Sequence, residues 1–282
     1  MNPTTTSSVC ILGYGITYSR SPLIHNHWID KYGVDSRYGI CDMPAENLPD
    51  FLDTIRQGKA VGCNVTTPYK QAVIPYLDAI DDAASAIGSV NTIYRRDGLL
   101  RGTSTDGAGY IGHLKHTHPD LQLQDAKVLI LGAGGAARAI ADALVHNGCS
   151  VIYIANRTMQ KAREIAAFQP DTIKPVAWDD AQSTAGLVDV LVNTTSLGMV
   201  GRSPLAFPLE DTRPNCVVSD IVYAPLETEL LAGARGLGRP VLDGLGMLLH
   251  QAVPGFQLWF GIEPQVTDEL RALVEQDLKS HG

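Results

Sequence analysis

Lys127-Val128-Leu129-Ile130-Leu131-Gly132-Ala133-Gly134-Gly135-Ala136-Ala137-Arg138 is the stretch on which the fold turns. Four consecutive large apolar residues followed by glycine read as a buried parallel strand. The glycines let backbone approach a pyrophosphate, and the helix that opens behind them offers unpaired N–H groups to an anion. A glycine cluster alone is also what any tight strand-to-helix turn looks like, so the next strand matters. That strand, Ser150–Ile154, runs on into Ala155-Asn156-Arg157-Thr158, with Lys161 one turn further. An acid near this point would accept hydrogen bonds from ribose hydroxyls, and none is there. A guanidinium suits a ribose 2′-phosphate, because it binds two phosphate oxygens at once. The bland alternative is a solvated loop charge. The pattern favours NADP over NAD.

Outward from this core the chain alternates between strands and helices. The spacing predicts a helix over Gly135–Asn147 and helical structure over Ala162–Phe168. It predicts strands at Val188–Asn193, Val217–Ile221 and Pro240–Asp243, and helices over Met247–Phe260 and Val266–Leu278. Such alternation argues for a parallel sheet with helices on both faces. The N-terminal third repeats the theme. Val9–Gly13 reads as a strand, and Ser21 as the N-cap of a helix with Pro22 in its first turn. Ile24, Trp28 and Ile29 supply that helix's apolar face, and Gly33 its stop. Ala60–Thr66 reads as a strand, Pro68 as another first-turn proline, and Gln71–Leu77 as the start of a helix. Val90–Tyr94 and Leu99–Gly102 suggest a β-hairpin around Asp97-Gly98.

Bulk properties narrow the class. A chain of 282 residues favours two modest domains. A net charge of −8, without a basic stripe, argues against a nucleic-acid partner. Met1–Ser8 lacks a basic-then-apolar signal pattern, and no run nears the ~18 apolar residues of a membrane span. The five cysteines are scattered without Cys-x-x-Cys spacing, a reduced-thiol pattern and not a zinc site. A cytoplasmic protein is the simple expectation. His113, His116 and His118 lie in a polar stretch without a partner thiol or acid at ligand spacing, so they read as solvated and no metal is expected. His25 and His27 point to different helix faces and receive no role.

Three polar clusters stand at element ends, where α/β proteins place ligands. They are Ser19-Arg20-Ser21-Pro22, Asn64-Val65-Thr66-Thr67-Pro68-Tyr69-Lys70, and Gly102-Thr103-Ser104-Thr105-Asp106-Gly107 with Asn91 on the preceding strand. With Val90-Asn91-Thr92, Asn156-Arg157-Thr158, Gly244-Leu245-Gly246-Met247 and Gln251, these motifs in this order resemble the shikimate dehydrogenase family over nearly the whole chain. One of them alone is weak, but their joint order is specific.

The resemblance implies an α/β fold in which an NADP-binding Rossmann-type domain, 107–246, is inserted into an α/β substrate-binding domain, 1–106 and 247–282. It implies reduction of 3-dehydroshikimate to shikimate by NADPH, on the route through chorismate to aromatic amino acids. Lys70 and Asp106 match the family's catalytic pair. Ser19, Ser21, Asn64, Thr66, Asn91, Tyr223 and Gln251 match substrate-side positions. Gly132, Ala133, Gly134, Gly135, Ala136, Asn156, Arg157, Thr158, Lys161, Thr194, Gly244 and Met247 match cofactor-side positions. One departure concerns the ring: the family reads Asn-Thr-Asp where this chain has Ser104-Thr105-Asp106, a shorter side chain without the amide.

A lysine hydrogen-bonded to the reacting oxygen can give or take the proton that accompanies hydride transfer, worth ~10²–10⁴-fold. Burial would lower its pKa and a neighbouring carboxylate raise it, so Lys70 and Asp106 are read as a coupled pair. Which of them carries the proton stays open. So do the competing readings, a paralogue acting on quinate or an amino-substituted ring, or a non-catalytic sensor. Monomer and homodimer are equally compatible with the sequence.

Overall fold

The structure is a computed structural model that describes residues 7–17 and 19–281, so most of the Met1–Ser8 stretch lies outside it. The described residues divide into two compact units. One comprises those up to Thr105 with Leu249–Gln276, the other Asp106–Leu248 with Asp277 and those after it. Among the described residues, no helix is long and apolar enough to cross a membrane.

The first unit runs β1 (Ser7–Gly13), α1 (Ser21–Tyr32), β2 (Ser36–Asp42), α2 (Leu48–Arg56), β3 (Ala60–Val65), β4 (Ala79–Ile80), α3 (Asp82–Ile87), β5 (Thr92–Arg96) and β6 (Leu99–Thr103). Its six strands lie in the order β2-β1-β3-β5-β6-β4. β1 pairs in parallel with β2 and β3, whereas β5 runs antiparallel to both β3 and β6. The β5–β6 hairpin forms as read: Asp97 and Gly98 both take positive φ, 53° and 76°, as a two-residue turn matching strand twist requires. Leu12, Cys63, Val65, Ile93 and Leu100 from the sheet pack against Leu48, Leu52 and Ile55 of α2. Ile24, Trp28 and Ile29 of α1 are buried, as their spacing predicts.

Two local readings are corrected. Ser21 is not the N-cap of α1. Arg20 holds that place in a helical conformation without a side-chain cap, and the Ser21 N–H instead donates to Ser19 Oγ at 3.3 Å. No α-helix forms over Gln71–Leu77, and Pro68 follows a cis peptide instead of opening a helix. There the chain makes single turns ending in a short 3₁₀ segment, Ile74–Tyr76. The Lys70 carbonyl, which a helix would use, accepts instead from the Val90 N–H at 2.8 Å. Pro75, in turn, has no N–H to donate.

The second unit holds α4 (Asp106–Thr117), β7 (Lys127–Leu131), α5 (Gly135–His146), β8 (Val151–Ala155), α6 (Met159–Ala166), β9 (Ile173–Val176), α7 (Ala181–Ala185), β10 (Val190–Asn193), β11 (Val217–Asp220), α8 (Glu229–Gly236) and β12 (Val241–Leu242). Helix α9 (Gly244–Phe260) begins in this unit and ends in the first, and α10 (Asp268–His281) closes the chain. The sheet is β12-β11-β10-β7-β8-β9 with every pairing parallel. Counted from β7, that is the 3-2-1-4-5-6 order of a doubly wound dinucleotide fold. Its central strands β7 and β10 are buried on both faces, hence their Val/Ile/Leu runs.

α4 is among the elements that the sequence reading misses, with β2, α2 and α8, and Asp106-Gly107-Ala108-Gly109 is a poor helix start on propensity. Packing supplies what propensity lacks. A Cβ on Gly107 would lie 2.4 Å from the Ala139 carbonyl oxygen, so glycine lets α4 settle onto the α5 backbone. The same helix corrects the reading of His113 as solvated. His113 is buried, its Nδ1 3.2 Å from Thr117 Oγ1 and its Nε2 3.7 Å from the Asp243 carboxylate. The His118 ring meets the Val241 carbonyl at 3.1 Å, whereas His116 is exposed. Among the described residues, no cluster of three or more His, Cys, Asp or Glu is arranged to hold a metal ion.

Candidate active site

In the second unit the glycine turn sits where the strand order reverses, between β7 and β10. Gly132 takes φ 110°, and a Cβ there would lie 2.6 Å from Thr194 Oγ1. Thr194 is itself fixed, since its N–H and its hydroxyl both donate to the Leu131 carbonyl at 2.8 Å. Gly134 precedes α5 in extended conformation and leaves the helix start without a side-chain cap. A Cβ at Gly134 or Gly135 would meet nothing within 4 Å. These glycines therefore leave open space before a helix N-terminus whose N–H groups lack side-chain partners, an arrangement suited to a diphosphate. At the end of β8, Asn156 Nδ2 donates to the Thr158 carbonyl at 2.9 Å and shapes the turn, while Arg157, Thr158 and Lys161 are exposed. The set fits a dinucleotide carrying a further phosphate on its ribose.

Two residues that the sequence reading passed over organise the opposite side of this turn. Asp220, ending β11, is fully buried and accepts from Asn193 Nδ2 (3.0 Å), the Val222 N–H (3.0 Å) and the Thr228 hydroxyl (2.8 Å). Burial pushes its carboxyl above the usual carboxylate range against those three bonds. Asn193 Oδ1 in turn receives the N–H (2.9 Å) and hydroxyl (2.7 Å) of Thr195. The signal was present: an acid closing an apolar parallel strand. Tyr223 follows half-buried. Gly244 has its own packing reason, because a Cβ there would lie 2.2 Å from the Ile221 carbonyl oxygen, and Met247 packs on the unit's core.

In the first unit, Ser19 is half-buried and Ser21 buried at the start of α1. The loop before them is tied down by Asp42, whose carboxylate accepts from the N–H groups of Gly15 (2.9 Å) and Ile16 (3.2 Å). Thr66 follows β3, its N–H on the Leu12 carbonyl at 2.9 Å, and Lys70 sits half-buried in the turn beyond. Asn64, Asn91 and Gln251 are brought into one hydrogen-bonded array. Asn91 Oδ1 accepts from the Thr105 N–H at 2.9 Å, and the Thr105 hydroxyl reaches Gln251 Oε1 at 3.5 Å. Asp106 is the residue covalently next to Thr105 and opens α4.

A parallel sheet in this strand order, with the glycine turn at its reversal point, defines a Rossmann-type dinucleotide-binding protein. The comparisons with known proteins specify it further. Residues 11–93 match the shikimate dehydrogenase substrate binding domain, 114–200 the shikimate/quinate 5-dehydrogenase model, and 244–276 the shikimate 5′-dehydrogenase C-terminal domain. A shikimate dehydrogenase (NADP(+)) of Methylobacterium radiotolerans is 45% identical over 95% of this chain and 96% of its own. The solved shikimate 5-dehydrogenase of Thermus thermophilus, in complex with NADP(H) and shikimate, superposes with TM-score 0.82 at 32% identity, covering 97% of this chain and 99% of that one. A quinate dehydrogenase of Corynebacterium glutamicum in complex with NAD gives TM-score 0.87 at 32% identity, covering 96% and 99%. The chain belongs to the shikimate dehydrogenase family.

Proposed function

We propose that the chain catalyses the reversible NADPH-dependent reduction of 3-dehydroshikimate to shikimate in the cytoplasm, with Lys70 and Asp106 serving the oxygen whose carbon exchanges hydride. One observation carries the assignment of that pair. The Lys70 carbonyl accepts from Val90 N–H, and the next residue, Asn91, holds both the N–H and the hydroxyl of Thr105, immediately before Asp106. The backbone of Lys70 is thus tied through a short buried segment to the residue that precedes Asp106. Full-length relatives named for this reaction and this cofactor support the substrate and NADP.

NADPH, when bound, supplies the hydride. Gly132, Ala133, Gly134, Gly135 and Ala136 would face its diphosphate, and Asn156, Arg157, Thr158 and Lys161 its adenosine ribose phosphate, with Thr194, Gly244 and Met247 beside them. Ser19 and Ser21 would hold the ring carboxylate, and Thr66, Asn64, Asn91, Tyr223 and Gln251 the ring and its hydroxyls. During reduction the Lys70 ammonium gives a proton to the carbonyl oxygen as it becomes alkoxide, and Asp106 accepts a hydrogen bond from the adjoining hydroxyl or from Lys70. Proton transfer of this kind is worth ~10²–10⁴-fold. Lys70→Ala should lower kcat by that range while the affinity for NADP(H) stays near wild type. Near-normal turnover would remove Lys70 from the mechanism.

A quinate-directed reading has its own support in Ser104, shorter than the family's asparagine and buried beside Thr105, and in the likeness to an NAD-bound quinate dehydrogenase. It uses the same lysine and aspartate.

A further inference from the structure

Asn64 and Asn91 are joined by a hydrogen-bond chain that runs from Tyr38 to Thr105, each member giving to the next. The Tyr38 hydroxyl donates to Asn64 Oδ1 at 2.7 Å, and Asn64 Nδ2 donates to Thr92 Oγ1 at 3.0 Å. The Thr92 hydroxyl donates to Asn91 Oδ1 at 3.0 Å, and Asn91 Nδ2 to Thr105 Oγ1 at 3.0 Å. The Thr105 hydroxyl lies 3.3 Å from Asn91 Oδ1 and 3.5 Å from Gln251 Oε1. Tyr38, Asn64, Asn91, Thr92 and Thr105 are all buried, with Thr92 wholly inaccessible.

The direction of the chain is imposed by two backbone groups of fixed polarity. The Asn91 carbonyl, which only accepts, takes Asn64 Nδ2 at 3.2 Å and so forces that amide's nitrogen inward. The Thr105 N–H, which only donates, meets Asn91 Oδ1 at 2.9 Å and forces that amide's oxygen toward it. Thr92 has one hydroxyl proton. With Asn64 donating to its oxygen, that proton goes to Asn91. Reversing either amide would set acceptor against acceptor in a buried site, where an unmade bond carries its full desolvation cost.

We infer that Tyr38 and Thr92 are positioning residues, which set through this one-way chain the face that Asn64 and Asn91 turn to the ring substrate. The inference rests on the reading of those amides as substrate-side groups. Neither touches the ring in this account, and both act through Asn64 and Asn91.

Steady-state kinetics with shikimate and NADP+ on Thr92→Val, Thr92→Ser and Tyr38→Phe test this, with the thermal midpoint of each variant recorded alongside. Losing one buried hydrogen bond from the binding geometry corresponds to roughly a tenfold rise in the KM for shikimate. That rise is expected in Thr92→Val and Tyr38→Phe, with the KM for NADP+ within about twofold of wild type. Thr92→Ser keeps the hydroxyl and should restore the shikimate KM. A lowered thermal midpoint with an unmoved shikimate KM in the two disruptive variants overturns the inference, as does an equal rise for both substrates. If Thr92→Val does not fold, Tyr38→Phe at the head of the chain decides on the same criterion. Wild-type protein that fails to oxidise shikimate overturns the parent reading and this inference with it, whereas wild-type turnover with unmoved variants overturns this inference alone.

Discussion

Single side chains carry the choice of cofactor and part of the response to acid. Arg157 is exposed at the end of β8 in the place where an NAD binder carries an acid. Arg157→Ala should raise the KM for NADP+ by roughly tenfold or more, the weight of a charge-assisted pair, and leave that for NAD+ nearly unchanged. Comparing the two constants in one preparation checks it. His25, which received no role from the sequence, is enclosed by Trp28, Tyr38, Phe256 and Trp259, with its ring stacked 4.3 Å from that of Tyr38. Burial pushes its pKa down from 6.5 to about 3. As pH falls below about 6.5, the unfolded chain takes up a proton that the folded chain refuses, so stability declines across the window from 6.5 to 3. The slope from this one group is at most ~1.4 kcal/mol per pH unit. Urea midpoints measured through that window should fall less steeply in His25→Phe. Lys70, Asp106 and Arg157 stand out in the sequence as polar residues at element ends, and the roles proposed for the first two come from the resemblance to the family. His25 and His113 were not, since a histidine in sequence gives no sign of whether an aromatic wall or water will surround it.

At the scale of elements, the glycine turn and the β5–β6 hairpin were readable because glycine and Asp-Gly leave few backbone alternatives. Gly132 shows how tight the first of these is. At φ 110°, with Thr194 Oγ1 in the way, Gly132→Ala should cost roughly 1–3 kcal/mol in urea unfolding. It should also weaken NADP+ binding more than it weakens shikimate binding, because the strain falls on the diphosphate turn. Equilibrium unfolding and dye-free binding titrations on the same variant separate the two effects. By contrast, α4 and the turns after Lys70 are decided by partners distant in sequence. Gly107 helps α4 by vanishing against α5, and the Val90 N–H takes the carbonyl that a helix after Pro68 would have needed. Local propensity contains neither fact.

For the whole molecule, the regular strand–helix alternation after residue 127 made the parallel sheet the most legible feature, whereas its strand order was not read from the sequence. The mixed sheet of the first unit was less so. β2 buries only Ser36 and Tyr38, β4 is two residues long, and α2 was passed over although its Leu48, Leu52 and Ile55 recur at helical spacing. The two units together bear the functional claim, that this family member oxidises shikimate with NADP+ through Lys70 and Asp106. Its most direct test is kcat/KM determined for shikimate and for quinate, each with NADP+ and with NAD+, on purified wild-type protein. The account predicts the highest value for shikimate with NADP+. A higher value for quinate, or for NAD+ with either ring, would contradict it.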